Sequence, residues 1–415
     1  MSDDCPKVSI IMPALNVRDY IEECVDSVIN QTLEDIEIIL VDAGSDDGTL
    51  EILQDYTKKD SRITLLHSDQ RSYGHQMNMG ISQSKGEYIG IVETDDYIAP
   101  EMFEELYKIS NNGEYDIVKS SFIYVNEDTG EIYKDLNRLK QRIPDDRPFN
   151  LKDNAYIFTG HPSIWAAIYR REFLLMNDIT FMEAPGGGWV DNPFLHETAC
   201  LAKIIRYTDE AYYYYRESNP NSSSNKLNDF TLPIRRMLDN LDVLDKYPEC
   251  KTEEVLKTLY WRVNIYMDNI QGRKEYRENL PIVRPYIKEM MDRLDESIVN
   301  RHFSLKDRQR YYTFASPIGL LESGDQIQVY SKDYNDIVKE IRFFKSAVRT
   351  YTKDIDKLKA ENKELKRENK KLKRRNKKTK ANLAKYKKLY KSLLNSSSWK
   401  ITKPLRAFKR IFKRK

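Results

Sequence analysis

Extended apolar runs alternate with helix-period segments through the first hundred residues, and the runs end on polar or acidic side chains. The runs are Val8 to Ala14, Ile36 to Asp42, Arg62 to His67 and Glu87 to Val92. Between the first two, Tyr20, Ile21, Cys24, Val25, Val28 and Ile29 recur at helical spacing, and further helices are expected from about Thr49 and over Gly74 to Ser84. Such alternation builds a parallel α/β sheet. Sheets of this kind bind ligands beyond the carboxyl ends of their strands. The fourth run stops on Glu93-Thr94-Asp95-Asp96, three acids in four positions. A solvated loop is the bland reading of that cluster; a divalent cation with oxygen ligands is the sharper one. Asp42 closes the second run, so it and the acidic cluster are expected to share one crevice.

Three segments in order carry a family resemblance: Pro13-Ala-Leu-Asn16, Val41-Asp-Ala-Gly-Ser-Asp-Asp-Gly48 and Gly86-Glu-Tyr-Ile-Gly-Ile-Val-Glu-Thr-Asp-Asp96. Together they resemble the nucleotide-sugar motifs of the inverting family 2 glycosyltransferases, of GT-A fold, over roughly residues 7 to 220. The resemblance implies a UDP-sugar donor, a Mn2+ or Mg2+ ion, and direct transfer to an acceptor hydroxyl with inversion. It places Pro13 and Asn16 on the donor side, Asp42 at the uracil N3–H and Asp95 on the metal. Glu93 stands where many relatives have Asp, and its longer arm is assigned to the ribose or a metal-bound water. The chemistry agrees, since a leaving diphosphate carries charge that a Lewis acid neutralises. Asp96 is read as a cap for the helix expected near Pro100.

Inversion needs a base within hydrogen-bond reach of the acceptor hydroxyl. In Glu183-Ala-Pro-Gly-Gly-Gly-Trp189-Val-Asp191, three glycines make a loop and a carboxylate then opens a helix. The resemblance makes Asp191 the general base; an N-cap role is the alternative, and the two are compatible. Trp165, in Gly160-His-Pro-Ser-Ile-Trp165, and Trp189 are assigned to the acceptor side, with core packing the competing reading for Trp165. Relatives carry an Arg-Asn pair where this chain has Met77-Asn78, so Asn78 keeps a donor contact and Arg71 is asked to replace the missing charge. His196 is read as structural rather than metal-ligating. Arg216, after the tyrosine run 212–215, is a candidate for the diphosphate.

The expected architecture is a GT-A catalytic domain over 1–222, a helical domain over 223–345, a coiled coil over 346–395 and a basic amphipathic tail over 396–415. Leu238, Leu241, Leu244 and then Leu256, Leu259, Val263 and Tyr266 give the helical spacing of the second part. Ile355, Asn362, Asn369, Asn376, Leu383 and Tyr390 fall seven apart, and Leu358, Leu365, Leu372, Thr379, Tyr386 and Leu393 follow three residues behind. That a/d register favours a parallel homodimer, against a single charged helix. Residues 352–415 hold 26 lysines and arginines against 5 acids; with +3 overall, the remainder carries −18. In the tail, Ile401, Leu405, Phe408 and Phe412 form a stripe flanked by Arg406, Lys409, Arg410 and Lys413, which suits an anionic membrane surface better than nucleic acid.

No run reaches a membrane span and the start lacks a signal peptide, so a cytoplasmic enzyme on the inner membrane face, acting on a glycan or lipid-linked acceptor, is expected. Cys5, Cys24, Cys200 and Cys250 lack metal-ligand spacing. A sugar nucleotidyltransferase should show a Gly-rich phosphate loop after the first strand, and a dehydrogenase a G-x-G-x-x-G; this chain has Pro13-Ala-Leu-Asn16 there. A coiled-coil membrane scaffold that no longer turns over is the non-enzymatic alternative.

Overall fold

The computed structural model describes residues 5–134, 142–219, 229–273, 275–315 and 334–395. The opening alternation is as expected: β1 (Val8–Ala14), α1 (Arg18–Ile29), β2 (Ile36–Asp42), α2 (Thr49–Lys59), β3 (Ile63–His67), α3 (Tyr73–Gln83) and β4 (Tyr88–Ile91). β1 lies between β2 and β4, parallel to both, with Ala14 opposite Asp42 and Ile11 opposite Ile91. β3 continues the parallel set beyond β2. Helices on both faces bury these strands, which is why they read as unbroken apolar runs.

The sheet then changes character. β5 (Tyr97–Ile98), α4 (Met102–Ile109), β6 (Ile117–Asn126), β7 (Glu131–Lys134), β8 (Ala167–Arg170), α5 (Arg171–Met176), α6 (Asp191–Leu201) and β9 (Ile205–Arg216) follow. The strand order is β3-β2-β1-β4-β8-β6-β9-β5, with β7 paired to β6. β8 runs antiparallel between β4 and β6. β9 runs parallel to β6, with its register shifted around Ser121, and carries the tyrosine run across to β5. This is a mixed α/β sheet, and its antiparallel half brings β9 beside the acidic end of β4.

Helices α7 (Leu232–Lys246), α8 (Glu253–Gln271), α9 (Tyr276–Asp292), α10 (Glu296–His302) and α11 (Leu305–Ala315) come next. Ile234, Met237, Leu241 and Leu244 of α7 and Val255, Leu259, Val263, Met267 and Ile270 of α8 are buried in the same core as the sheet. The chain up to residue 324 is one compact unit, and residues from 325 on form a second. The described part of the second unit is one 62-residue helix, α12 (Tyr334–Asn395). Leu365, Leu372, Leu383, Tyr386 and Tyr390 of its heptad pattern are exposed. The basic tail, residues 396–415, lies outside the described residues. No described helix is long and apolar enough to cross a membrane.

Candidate active site

The carboxyl end of β4 delivers Glu93, Asp95 and Asp96, and the start of α6 delivers Asp191. Glu93, Asp95 and Asp191 line one cavity of about 330 Å³, with Tyr73, His161, Trp165, Gly187, Trp189, Tyr215, Arg262, Tyr266 and Asn269 among the other walls. A larger cavity, about 730 Å³, lies among α7, α8 and α10. Its cations are already matched, Arg293 to Asp242 and Asp245 and Lys251 to Asp245.

Each carboxylate of the cluster has a specific partner. Tyr73 Oη donates to Glu93 Oε1 at 2.6 Å, and Asn219 Nδ2 donates to Asp95 Oδ2 at 2.8 Å. Asp191 Oδ1 accepts from the backbone N–H and the Nδ2 of Asn192, both at 3.0 Å. These groups keep some surface toward the cavity while protein encloses their other sides. That enclosure raises the carboxyls of Glu93, Asp95 and Asp191 above the ordinary range, Glu93 to about 8. For Glu93 the charges of Asp95 and Asp191 push the same way; for Asp191 the Arg262 guanidinium opposes burial.

Such oxygen donors suit a hard divalent cation. Among the described residues no three His, Cys, Asp or Glu side chains are close enough to cage one. Asp95, with one oxygen committed to Asn219, fits a cation whose shell is completed by substrate phosphates, the usual manner of Mg2+ binding.

Asp96 is not a helix cap. Helix α4 starts at Met102, and Asp96 instead accepts from Tyr213 Oη and from the Arg216 backbone N–H, both at 2.8 Å. Asp191 is the first residue of α6 and not its N-cap, which is Val190; its carboxylate accepts from the Asn192 N–H of the first turn. Arg216 is buried and consumed structurally: it donates to the Asp95 carbonyl at 2.7 Å, to Glu127 at 2.7 Å and to Glu23. It clamps the acidic loop from behind. His196 is buried, stacked on Phe158 with its Nδ1 2.7 Å from the Asn192 carbonyl, a structural placement.

Trp165 is 4 % exposed and stacks on Tyr213 at 4.0 Å and on Tyr215 at 5.4 Å, so it is a core residue that also forms part of the cavity wall. Trp189 follows two glycines at positive φ, Gly186 and Gly188, and itself sits at φ +52°. For an aromatic residue that is a strained backbone conformation, held at the cavity mouth. The glycine loop is stitched to the start of α3: Gly186 N–H donates to the Arg71 carbonyl at 2.8 Å and Tyr73 N–H to the Gly186 carbonyl at 3.0 Å. Any side chain at Gly74 would collide with the Met182 carbonyl, so the approach requires glycine there.

The donor-side residues lie at the β1 and β2 ends. Asn16, at φ +54°, exchanges hydrogen bonds with Asp46 at 3.0 and 2.9 Å and so ties the two loops together. The Pro13 carbonyl accepts from Thr94 Oγ1 at 2.7 Å. Arg71 is exposed and reaches the Gly44 carbonyl at 2.9 Å. Asp42 does not line the cavity with Asp95 and Asp191, contrary to the single crevice expected. Its buried carboxylate accepts from the N–H groups of Gly44, at 2.9 Å, and Ser45, turned into its own loop. Asn78 holds the 181–183 segment and does not line the cavity: it accepts from Phe181 N–H at 2.8 Å and donates to the Phe181 carbonyl at 2.9 Å and to Glu183 at 3.1 Å.

The sequence reading missed Tyr73, Asn192, Arg262, Tyr266 and Asn269. One signal existed: Arg262 is a charge on the stripe of Leu259, Val263 and Tyr266.

Comparison with known proteins bears on the family and the fold. The family model described as glycosyl transferase family 2 matches residues 9–175. The chain is 36 % identical over 223 residues to the uncharacterized glycosyltransferase EpsJ of Bacillus subtilis, covering 52 % of this chain and 62 % of that protein. It is 32 % identical over 225 residues to the glycosyltransferase GlyG of Streptococcus pneumoniae, covering 51 % of this chain and 71 % of the relative. The chain thus spans less than two thirds of EpsJ's own length. The crystal structure of S. aureus TarS 1-349 in complex with UDP-GlcNAc superposes with a TM-score of 0.58 at 21 % identity, covering 74 % of this chain and 86 % of that one, a likeness of fold. Motif order, sheet topology and these matches together place the chain in glycosyl transferase family 2.

Proposed function

We propose that this chain moves a hexose or N-acetylhexosamine from a UDP-sugar to a hydroxyl of a cell-surface glycan or its lipid-linked precursor, with inversion at the transferred carbon. The observation that carries this reading is the shared cavity: Asp95 on the β4 end and Asp191 on the α6 start face one space walled by Trp165, Trp189 and Tyr215. In it, Asp191 accepts the proton of the acceptor hydroxyl as that oxygen bonds to the sugar's C1. The bond from C1 to the UDP oxygen breaks, and UDP leaves with the electron pair. The Trp189 and Tyr215 rings in the cavity wall suit a sugar ring. A Mn2+ or Mg2+ ion would be held by Asp95 together with the donor's phosphates and would supply positive charge for the departing diphosphate. Glu93, fixed by Tyr73, is assigned to the ribose or a metal-bound water.

The nucleotide is assigned to the β1 and β2 ends, with Pro13, Asn16 and Asp42 around the uracil and Arg71 near the phosphates; Asn78 acts there by holding the 181–183 segment. The family resemblance supports the roles of Pro13, Asn16 and Asp42, Arg71 stands in for an arginine that relatives carry beside the Asn78 position, and the UDP-GlcNAc complex of the TarS fold supports the choice of nucleotide. The α12 seam is assigned to pairing with a second copy, which sedimentation of the full chain checks: a monomer at micromolar concentration rules it out. The basic tail is assigned to the inner face of the membrane.

UDP release from a panel of UDP-hexoses and UDP-N-acetylhexosamines, with Mn2+ and then with EDTA, tests the reaction. At least one donor should be hydrolysed, and EDTA should suppress it. Silence across the panel favours the non-catalytic scaffold.

A further inference from the structure

Helix α8 carries a buried cation that the proposed transfer does not employ. Arg262 sits 4 % exposed among Leu259, Val263 and Tyr266. An unneeded guanidinium there would be costly, since apolar side chains fill such positions at least as well. Each of its three nitrogens is engaged. Nη1 donates to the carbonyls of Phe158 and Gly160, each at 2.8 Å, Nε to Tyr266 Oη at 3.3 Å, and Nη2 to Asn192 Oδ1. Tyr266 Oη donates to the same Asn192 oxygen at 2.5 Å. With Oδ1 held by two donors, the Asn192 amide has one orientation, and its Nδ2 donates to Asp191 Oδ1 at 3.0 Å. The Asn192 backbone N–H reaches that same carboxylate oxygen.

We propose that Arg262 and Tyr266, acting through Asn192, are positioning residues for Asp191, so that the helical region following the sheet domain completes the site. Two hydrogen bonds to Oδ1 make it the poorer proton acceptor and leave Oδ2 to take the acceptor's proton. Arg262 also ties the Phe158–Gly160 segment, which leads to the cavity-lining His161, to the same helix. The residues on α8 therefore couple the base to the opposite wall. This rests on the reading of Asp191 as the base.

The test uses the full chain, Mn2+ and UDP-N-acetylglucosamine, or whichever UDP-sugar of the panel turns over, with water as acceptor. Tyr266→Phe removes one hydroxyl and keeps the ring; Arg262→Lys keeps the charge but cannot bridge Asn192 and both carbonyls. Each should lower kcat on the order of tenfold or more, with the donor KM nearly unchanged and, for Tyr266→Phe, the Tm nearly unchanged as well. In an Asn192→Ala background, Tyr266→Phe should add no further loss, because the path to Asp191 is already cut. A structural role alone would instead lower Tm and give additive losses, which overturns the proposal. Asp191→Asn separates the two readings. If it is silent while Tyr266→Phe and Arg262→Lys keep full kcat, only the positioning role fails; if it turns over normally, or if the unaltered chain hydrolyses no donor, the functional reading fails and takes this one with it.

Discussion

Glu93 binds its proton more tightly in the folded protein than in the unfolded chain. Enclosure raises its carboxyl to about 8, and the charges of Asp95 and Asp191 add to that against the hydrogen bond from Tyr73. An ordinary glutamate titrates near pH 4.3. Because the folded value is the higher one, the stability this group contributes is complete below the ordinary value and is lost as pH rises through about 8. Cation-free protein should therefore show a Tm that declines between about pH 6 and pH 8.5. Glu93→Gln keeps an oxygen for the Tyr73 hydroxyl and removes the titration, so it should flatten that decline and raise Tm at the alkaline end. An unchanged slope in the variant would contradict the burial argument. The upward direction for Asp191 works on activity instead: a base must be ionised, so turnover should fall on acidification at a pH above the usual carboxylate range.

Among the elements, what the sequence made legible follows from burial. β1, β2, β3 and β4 are parallel strands, and helix-covered parallel strands are written as apolar runs. Their ends, and so the positions of Asp42 and Asp95, could be read to within a residue or two. The antiparallel half left weaker traces: β8 is four residues long and β5 two, too short for a period to declare itself. Position did not reveal use. Asp42 and Asp95 both end strands, yet one turns into its own loop and the other faces the cavity; Asp96 looks like a cap and is a brace. The part played by Asp96 depends on Tyr213 and Arg216, about 120 residues away, which no local pattern connects to β4. The helical part of the site was less legible still, because apolar spacing announces α8 without saying which element it meets. Only Arg262, a charge among apolar neighbours, marked the face that meets Asn192 beside Asp191.

Over the full chain, charge is divided as sharply as structure. An acidic sheet-and-helix unit precedes a basic helix and tail, and each cation near an anionic lipid surface contributes about 1 kcal/mol. Deleting residues 396–415 should abolish binding to liposomes containing anionic lipid at moderate salt, while UDP release from a soluble donor continues; binding retained in full would remove the membrane from the account. Such a tail would hold the catalytic unit beside a lipid-linked acceptor. The proposed reaction gives two carboxylates different tasks, Asp95 for the donor's charge and Asp191 for the acceptor's proton. Calorimetric donor affinity and UDP release, measured together on Asp191→Asn with Mn2+, separate those tasks most directly. Donor affinity should stay within about twofold of the unaltered chain while turnover falls by about 10²-fold to 10⁴-fold. Turnover that survives the substitution, with donor bound as before, would contradict Asp191 as the base.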